Sequence, residues 1–262
     1  MKRISSRSNP RFKLLRSLAS SARERSSHEC TLLDGAHLVR AYIDRVGNPV
    51  LVAVSSDAWR HREIQQLIER LGEERVLCFP PELFRQIATV ESPSGILAMV
   101  DIPETKTELI ESDFLVLLDG IQDPGNVGTI IRSAAAAGAN SVMLCPRCAD
   151  PWSPRALRAA MGATFTIEIR PGVELTDVVE QFRGGVVATS IREGLPPSGV
   201  DLTGPIALLL GSEGAGLSRQ LAATASVTVS IPLARDIDSL SVGAAAAVIM
   251  FERVRQIALK RA

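Results

Sequence analysis

The sequence predicts an α/β protein of two domains, the second built on a parallel sheet, and three observations carry that prediction. Short apolar runs alternate with amphipathic stretches along most of the chain, the pattern of strands joined by covering helices. The alternation breaks once, at Asp101 to Ser112, where Pro103 and the acidic residues Asp101, Glu104, Glu108 and Glu111 make a polar stretch suited to a domain boundary. Beyond it most strand-like runs are apolar throughout, as parallel strands covered on both faces are. A chain of 262 residues, 46% of them hydrophobic, has enough apolar material for two modest cores. The division expected is 1–104 and 105–262.

The chain opens on a basic arm. Lys2, Arg3, Arg7, Arg11, Lys13, Arg16, Arg23 and Arg25 face only Glu24 among the first 25 positions, although the whole chain has zero net charge. Such an arm suits a polyanion, and a solvated tail would have the same composition. Thr31 to Leu33, Val50 to Val54, Val76 to Phe79 and Ile96 to Val100 then read as strands, with helices at Ala36 to Val46, Trp59 to Leu71 and Glu82 to Ala88. In the second domain strands are expected at Phe114 to Leu118, Ser141 to Cys145, Phe165 to Ile169, Val186 to Ser190, Ile206 to Leu210 and Val227 to Ile231. The last helix is the clearest. Val242, Ala245, Ala246, Ile249, Met250, Val254, Ile257 and Ala258 fall on one face, and Lys260 and Arg261 sit at the negative end of its dipole.

Three strand ends in the second domain carry unusual loops, and strand ends are where open α/β sheets bind ligands. The first stretch runs from Asp119 to Gly138. Gly120, Gly125 and Gly128 permit tight turns, and Asn126 is placed to cap the following helix. Arg132 lies one helical turn beyond Gly128 and leans toward the helix N-terminus as a candidate anion ligand; an ordinary βα turn with a surface arginine reads the same way. The second loop, Gly211 to Ser218, has the glycine content of a dinucleotide loop without its spacing. Gly211, Gly214 and Gly216 read G-x-x-G-x-G, and Glu213 stands where a phosphate would approach. A carboxylate repels pyrophosphate, so this loop suits a ligand without phosphates or one held by backbone groups. The third, Ile231 to Val242, launches the last helix with Ser239 or Ser241 as its cap.

Other classes drop out. Ile4 to Ser8 is too polar and broken for a signal peptide, and the longest apolar run, Val242 to Phe251, is too short to span a membrane, so a cytoplasmic protein is expected. Cys145 and Cys148 form a C-P-R-C pair, but no second pair or paired histidines accompany it, and His28 with Cys30 is a thin substitute for the missing zinc ligands. Two semi-buried thiols at a strand end are expected there, and no metal.

Taken together, D-P-G-N-V-G-T-I-I-R, L-L-L-G-S-E-G-A-G-L-S and I-P-L-A-R-D-I-D-S-L-S-V-G-A-A-A, in this order, resemble the three motifs of the SpoU group of SPOUT methyltransferases. N-P-R-F-K-L-L-R-S-L, T-L-L-D-G-A-H-L-V and E-S-P-S-G-I-L-A-M-V are similar to the ribosomal-protein-like substrate-binding domain that many members carry in front. The resemblance covers nearly the whole chain. It implies transfer of a methyl group from S-adenosylmethionine to a ribose 2′-hydroxyl of RNA, ribosomal rather than transfer RNA, by a homodimer whose C-terminal domain is a deep trefoil knot. Carried onto this sequence, it makes Leu210, Gly211, Ile231 and Leu240 cofactor contacts, mainly through backbone groups. Asn126, Arg132, Glu213, Ser239 and Ser241 take the catalytic positions, and the last helix belongs to the dimer interface.

A ribose hydroxyl is a poor nucleophile, whereas a sulfonium is an activated methyl donor that needs no metal. The enzyme must therefore align the two and favour loss of the hydroxyl proton. The family gives the activating role to the arginine at position 132, but a guanidinium stays protonated in proteins. Arg132 is therefore read as holding an RNA phosphate and stabilising the developing alkoxide, with the proton going to Glu213, a phosphate oxygen or water. One departure stands out: the third motif usually reads serine-leucine-asparagine where this chain has Ser241, and Gly243 replaces a commoner serine- or alanine-like residue. Readings from other classes are a non-catalytic RNA-binding protein that kept the knot and a nicotinamide oxidoreductase, which lacks its glycine fingerprint here.

Overall fold

Residues 1–104 and 113–261 are described by the computed structural model, and they divide into two units. Met1–Glu104 with Trp152–Phe165 forms the first, and the rest of the chain forms the second. The first unit thus takes in a segment that the linear boundary near residue 105 does not reveal. Most of the acidic stretch, residues 105–112, lies outside the described residues.

In the first unit the chain runs β1 (Lys2–Arg3), α1 (Pro10–Ser20), α2 (Ala22–His28), β2 (Cys30–Asp34), α3 (Ala36–Arg45), β3 (Leu51–Ser55), α4 (Arg62–Leu71), β4 (Val76–Phe79), α5 (Pro81–Phe84) and β5 (Ile96–Asp101). The sheet order is β1-β4-β3-β5-β2, with β5 antiparallel to both neighbours and the other pairs parallel. The basic arm is not a tail. Arg11 N–H donates to Asn9 Oδ1 at 2.9 Å to cap α1, Pro10 fills a first-turn position that needs no amide, and Phe12, Leu15 and Leu18 bury one face in the core. Arg25 is buried as well and donates to the Leu18 carbonyl at 2.8 Å, so it is a structural cation, while the other seven basic residues remain exposed.

Two helices are shorter than their periodicity suggests. Ala58–Arg60 form a separate 3₁₀ turn, so α4 starts at Arg62 rather than Trp59, and the stretch from Glu82 to Ala88 holds only the single turn of α5. The strand expected from Phe165 to Ile169 is split. Phe165 ends a 3₁₀ turn in the first unit, where its ring meets Tyr42 edge-on at 5.1 Å, and the strand begins only at Glu168.

The rest of the chain supplies β6 (Phe114–Asp119), α6 (Pro124–Ala136), β7 (Ser141–Leu144), α7 (Pro154–Ala160, in the first unit), β8 (Glu168–Pro171), α8 (Leu175–Gln181), β9 (Gly185–Thr189), β10 (Ile206–Gly211), α9 (Arg219–Ala222), β11 (Val227–Val229) and α10 (Val242–Arg261). Every pair in its six-stranded sheet is parallel, in the order β11-β9-β10-β6-β7-β8. From β6 the chain builds outward to β8 on one side, then fills the other side with β9, β10 and β11. The order reverses between β6 and β10, the switch point where such sheets open a crevice at the strands' C-terminal ends.

From the edge strand β11 the chain returns inward, and α10 packs against α6 and β10. The apolar face expected on this helix is divided. Val242, Ala246, Ile249 and Met250 are buried, but Val254 and Ala258 are exposed. Arg253 takes the buried position between them, donating to the carbonyls of Leu202 and Gly204 and lying 4.8 Å from the centroid of the Phe114 ring. Among the described residues no helix is long and apolar enough to cross a membrane.

Candidate functional site

At the switch point Asp119, the last residue of β6, lies in register with Gly211, the last of β10. The Asp119 carboxylate is buried and accepts from Ser218 N–H at 2.8 Å and from the Arg147 guanidinium at 2.5 Å. Burial opposes its ionisation, but the Ser218 and Arg147 hydrogen bonds and the charge of Arg147 outweigh that and hold the carboxyl below its ordinary range. Beside it, Gly120 N–H donates to Cys145 Sγ at 3.2 Å, and Cys148 Sγ–H donates to the Leu118 carbonyl at 3.1 Å. The two sulfurs are 3.8 Å apart, free, and at the end of β7. Burial and the neighbouring Cys145 push the Cys148 thiol up to about 12. No group of three or more metal-ligating side chains is present among the described residues.

The first motif loop leads into α6, which is capped by Asp123 and not by Asn126. Gly125 N–H donates to Asp123 Oδ1 at 2.6 Å and Pro124 takes the first turn, which places Asn126 inside the helix. Its side chain is thereby free for another partner: Asn126 Nδ2 donates to Glu213 Oε1 at 2.6 Å, across 87 positions of sequence. Arg132, one turn and a half further along α6, is exposed and makes no hydrogen bond or ion pair with any described residue.

Glu213 sits at the tip of the second motif loop. Ser212 and Gly216 exchange both backbone hydrogen bonds, at 3.1 and 2.9 Å, and Gly216 closes the turn at φ +67°. Gly211 is required by that turn, because a Cβ there would stand 2.2 Å from the carbonyl carbon of Gly216. Gly243, in the first turn of α10, is less constrained. Its Cβ would lie 3.2 Å from Thr129 Cγ2, a tight contact, and 3.4 Å from Asn126 Oδ1, so the glycine eases the approach of α10 to Thr129 on α6.

In the third motif loop, Ser241 Oγ accepts from Ala244 N–H at 3.3 Å, giving Ser241 the cap of α10. Ser239 and Leu240 instead line a cleft with Ile231, Leu233, Thr189, Ser190 and Ile191, floored by Val229, Ala245 and Ile249. The cleft has apolar walls, three hydroxyls and no charged side chain.

The structure therefore joins Asn126 to Glu213 and gathers Ile231, Ser239 and Leu240 around one cleft. Leu210 is fully buried inside β10 and Gly211 ends that strand; neither lines the cleft. Neither Arg132 nor Ser241 is hydrogen-bonded to the Asn126–Glu213 pair. Sequence reasoning missed Asp119, whose role depends on partners 28 and 99 positions away, and the Thr189–Ile191 wall, which has no motif of its own. An acidic residue closing an apolar strand is the one local sign that Asp119 gave.

The chain is similar to known proteins along most of its length. The SpoU rRNA Methylase family matches residues 113–251, just over half of the chain. The chain is 29% identical over 255 residues to the 23S rRNA (guanosine(2553)-2′-O)-methyltransferase RlmP of Bacillus subtilis, covering 96% of this chain and 98% of that one. It is 34% identical over 204 residues to a 23S rRNA (uridine(2479)-2′-O)-methyltransferase of Streptomyces viridochromogenes, covering 73% and 71%. Among solved structures, the SpoU methyltransferase AviRb from Streptomyces viridochromogenes in complex with AdoMet superposes with a TM-score of 0.83 at 27% identity, covering 95% and 98% of the two chains.

Proposed function

Since the chain belongs to the SpoU rRNA methylase family, we infer that it is an S-adenosylmethionine-dependent methyltransferase acting on a ribose 2′-hydroxyl of ribosomal RNA. The observation that carries this reading is the convergence of motif loops distant in sequence: the Asn126–Glu213 hydrogen bond joins the first two, and the third forms a cleft whose floor includes Ala245 and Ile249 of α10.

The cleft fits the cofactor by its chemistry. Ile231, Leu233 and Leu240 offer apolar surface to a nucleoside, Thr189, Ser190 and Ser239 offer hydroxyls, and the absence of lining charge suits a ligand without phosphates. Leu210 and Gly211 would add backbone groups at the end of β10. When bound, S-adenosylmethionine supplies a methyl group already activated on a sulfonium.

The chain's own residues must then align and deprotonate the ribose. Arg132, exposed and unpaired among the described residues, holds an RNA phosphate and stabilises the developing alkoxide. Asn126 orients Glu213 through Oε1, which leaves the exposed carboxylate able to accept the hydroxyl proton; an RNA phosphate oxygen or water can share that task. Ser239 contributes a hydroxyl beside the cofactor, and Ser241 acts from the cap of α10.

The remaining features belong to the same reading. The inward return from β11 to α6 and the insertion of β10 between β9 and β6 support a knotted path. Val248, Phe251, Val254 and Leu259, exposed on α10, support a homodimer. The exposed basic residues of α1 and its flanks support RNA holding by the first domain, with the catalytic domain beginning near residue 105, and the bacterial relatives named as rRNA methyltransferases support a cytoplasmic location. Incubation with methyl-labelled S-adenosylmethionine and protein-free ribosomal RNA should yield labelled 2′-O-methyl nucleoside; label in a base would contradict the assignment.

A further inference from the structure

The proton-accepting role given to Glu213 leaves open what holds an exposed, glycine-rich loop in place. Its N-terminal end is secured by the β10–β6 ladder through Gly211, and its tip by the Ser212–Gly216 exchange. Its C-terminal end is tied to the switch point at Ser218, whose N–H donates to Asp119 Oδ2. The other oxygen of that carboxylate, Oδ1, accepts from Arg147 at 2.5 Å, and Cys145 Sγ stands 3.7 Å from it. One buried side chain thus joins the ends of three strands: its own β6, the loop after β7, and the loop after β10. Asp119 is only 4% exposed, so it cannot itself reach substrate.

We propose that Asp119 is a positioning residue of the methyl-transfer site, clamping the Gly211–Ser218 loop so that Glu213 meets Asn126. The proposal rests on the proton-accepting role of Glu213. A carboxylate suits the clamp because it is acceptor-only and has two oxygens for two donors arriving from different loops. Ser218 and Arg147 address different oxygens of the carboxylate, and an amide in the same place turns one of those oxygens into an N–H₂ donor facing a donor, so one of the two bonds is lost.

The test reads hydrogen exchange and methyl transfer side by side in the full chain. In Asp119→Asn, exchange of peptides covering residues 211–218 should quicken by about tenfold while peptides from the first unit exchange as before. Turnover should fall by about tenfold with the KM values for S-adenosylmethionine and RNA within about twofold of wild type. Added to Glu213→Gln, the same change should cost less than about twofold, because the group it positions is already gone. A purely structural role would instead give additive losses, which would overturn the proposal, as would unchanged exchange at 211–218. Arg147→Gln, which alters an exposed side chain, serves if Asp119→Asn does not fold. It should quicken exchange in the same peptides by about twofold or more, and no change there would also overturn the proposal. If wild-type protein transferred no methyl group, the methyltransferase reading would fail, and the exchange result would still decide whether Asp119 clamps the loop.

Discussion

Arg132 has a guanidinium with no partner among the described residues, standing on the helix whose third residue, Asn126, is bound to Glu213. Since it supports no neighbour, Arg132→Ala should fold and bind S-adenosylmethionine within about twofold of wild type, while turnover drops about a hundredfold or more, the ~3 kcal/mol typical of a charge-assisted interaction made in the transition state. Arg132→Lys should recover little, because a point charge cannot grip a phosphate and an alkoxide together as a planar fork does. Steady-state kinetics on both variants, with calorimetric cofactor titration, decide this; near-wild-type turnover in the alanine variant would remove Arg132 from the mechanism. The thiols make a second residue-scale prediction. Burial and the Asp101 carboxylate raise Cys30 to about 11, and Cys148 stands at about 12. Both therefore stay protonated at about pH 8, and native protein should alkylate there at least about a hundredfold more slowly than unfolded protein. Mass spectrometry of the two peptides over time tests it.

The elements most legible in the sequence are the continuous apolar strands. Val76–Phe79 falls where expected, and most of the others within one or two residues, because parallel strands covered on both faces leave an unbroken apolar signature. Helix starts were harder to place. Asn126 resembles a cap, but Asp123 followed by Pro124 wins the position, and only that shift by one turn frees Asn126 for Glu213. The basic N-terminal stretch reads as an arm by charge alone, yet the period of Phe12, Leu15 and Leu18 makes it a packed helix. This changes the experiment it calls for. Deleting the stretch would expose the first core, so charge reversal at Arg11 and Arg16 is the appropriate probe, and the salt dependence of RNA affinity should flatten by about 0.7 to 0.9 for each phosphate no longer neutralised. An unchanged slope would take α1 out of the RNA site. Similarly, Phe251→Glu on the exposed face of α10 should convert a dimer into a monomer by light scattering, whereas a monomeric wild type would remove the dimer proposal.

On the scale of the whole molecule, the sequence cannot show that the segment between β7 and β8 contributes to the first unit, nor that β10 inserts between β9 and β6, because both are pairings between distant parts of the chain. The switch point those pairings create also ties stability to pH. The folded carboxyl of Asp119 sits below its ordinary range, so its contribution is fully present above the unfolded value of about 4 and is lost as pH falls through the folded value. Thermal melts should accordingly show a steeper loss of Tm below about pH 4 in wild type than in Asp119→Asn, and parallel curves would contradict that linkage. The central claim, that these motif loops methylate ribose on ribosomal RNA, is tested most directly by mapping 2′-O-methyl sites in total RNA. Cells with the gene, without it, and carrying Arg132→Ala should be compared. At least one ribosomal RNA position should be methylated only with the wild-type protein; identical maps in all three would contradict the claim.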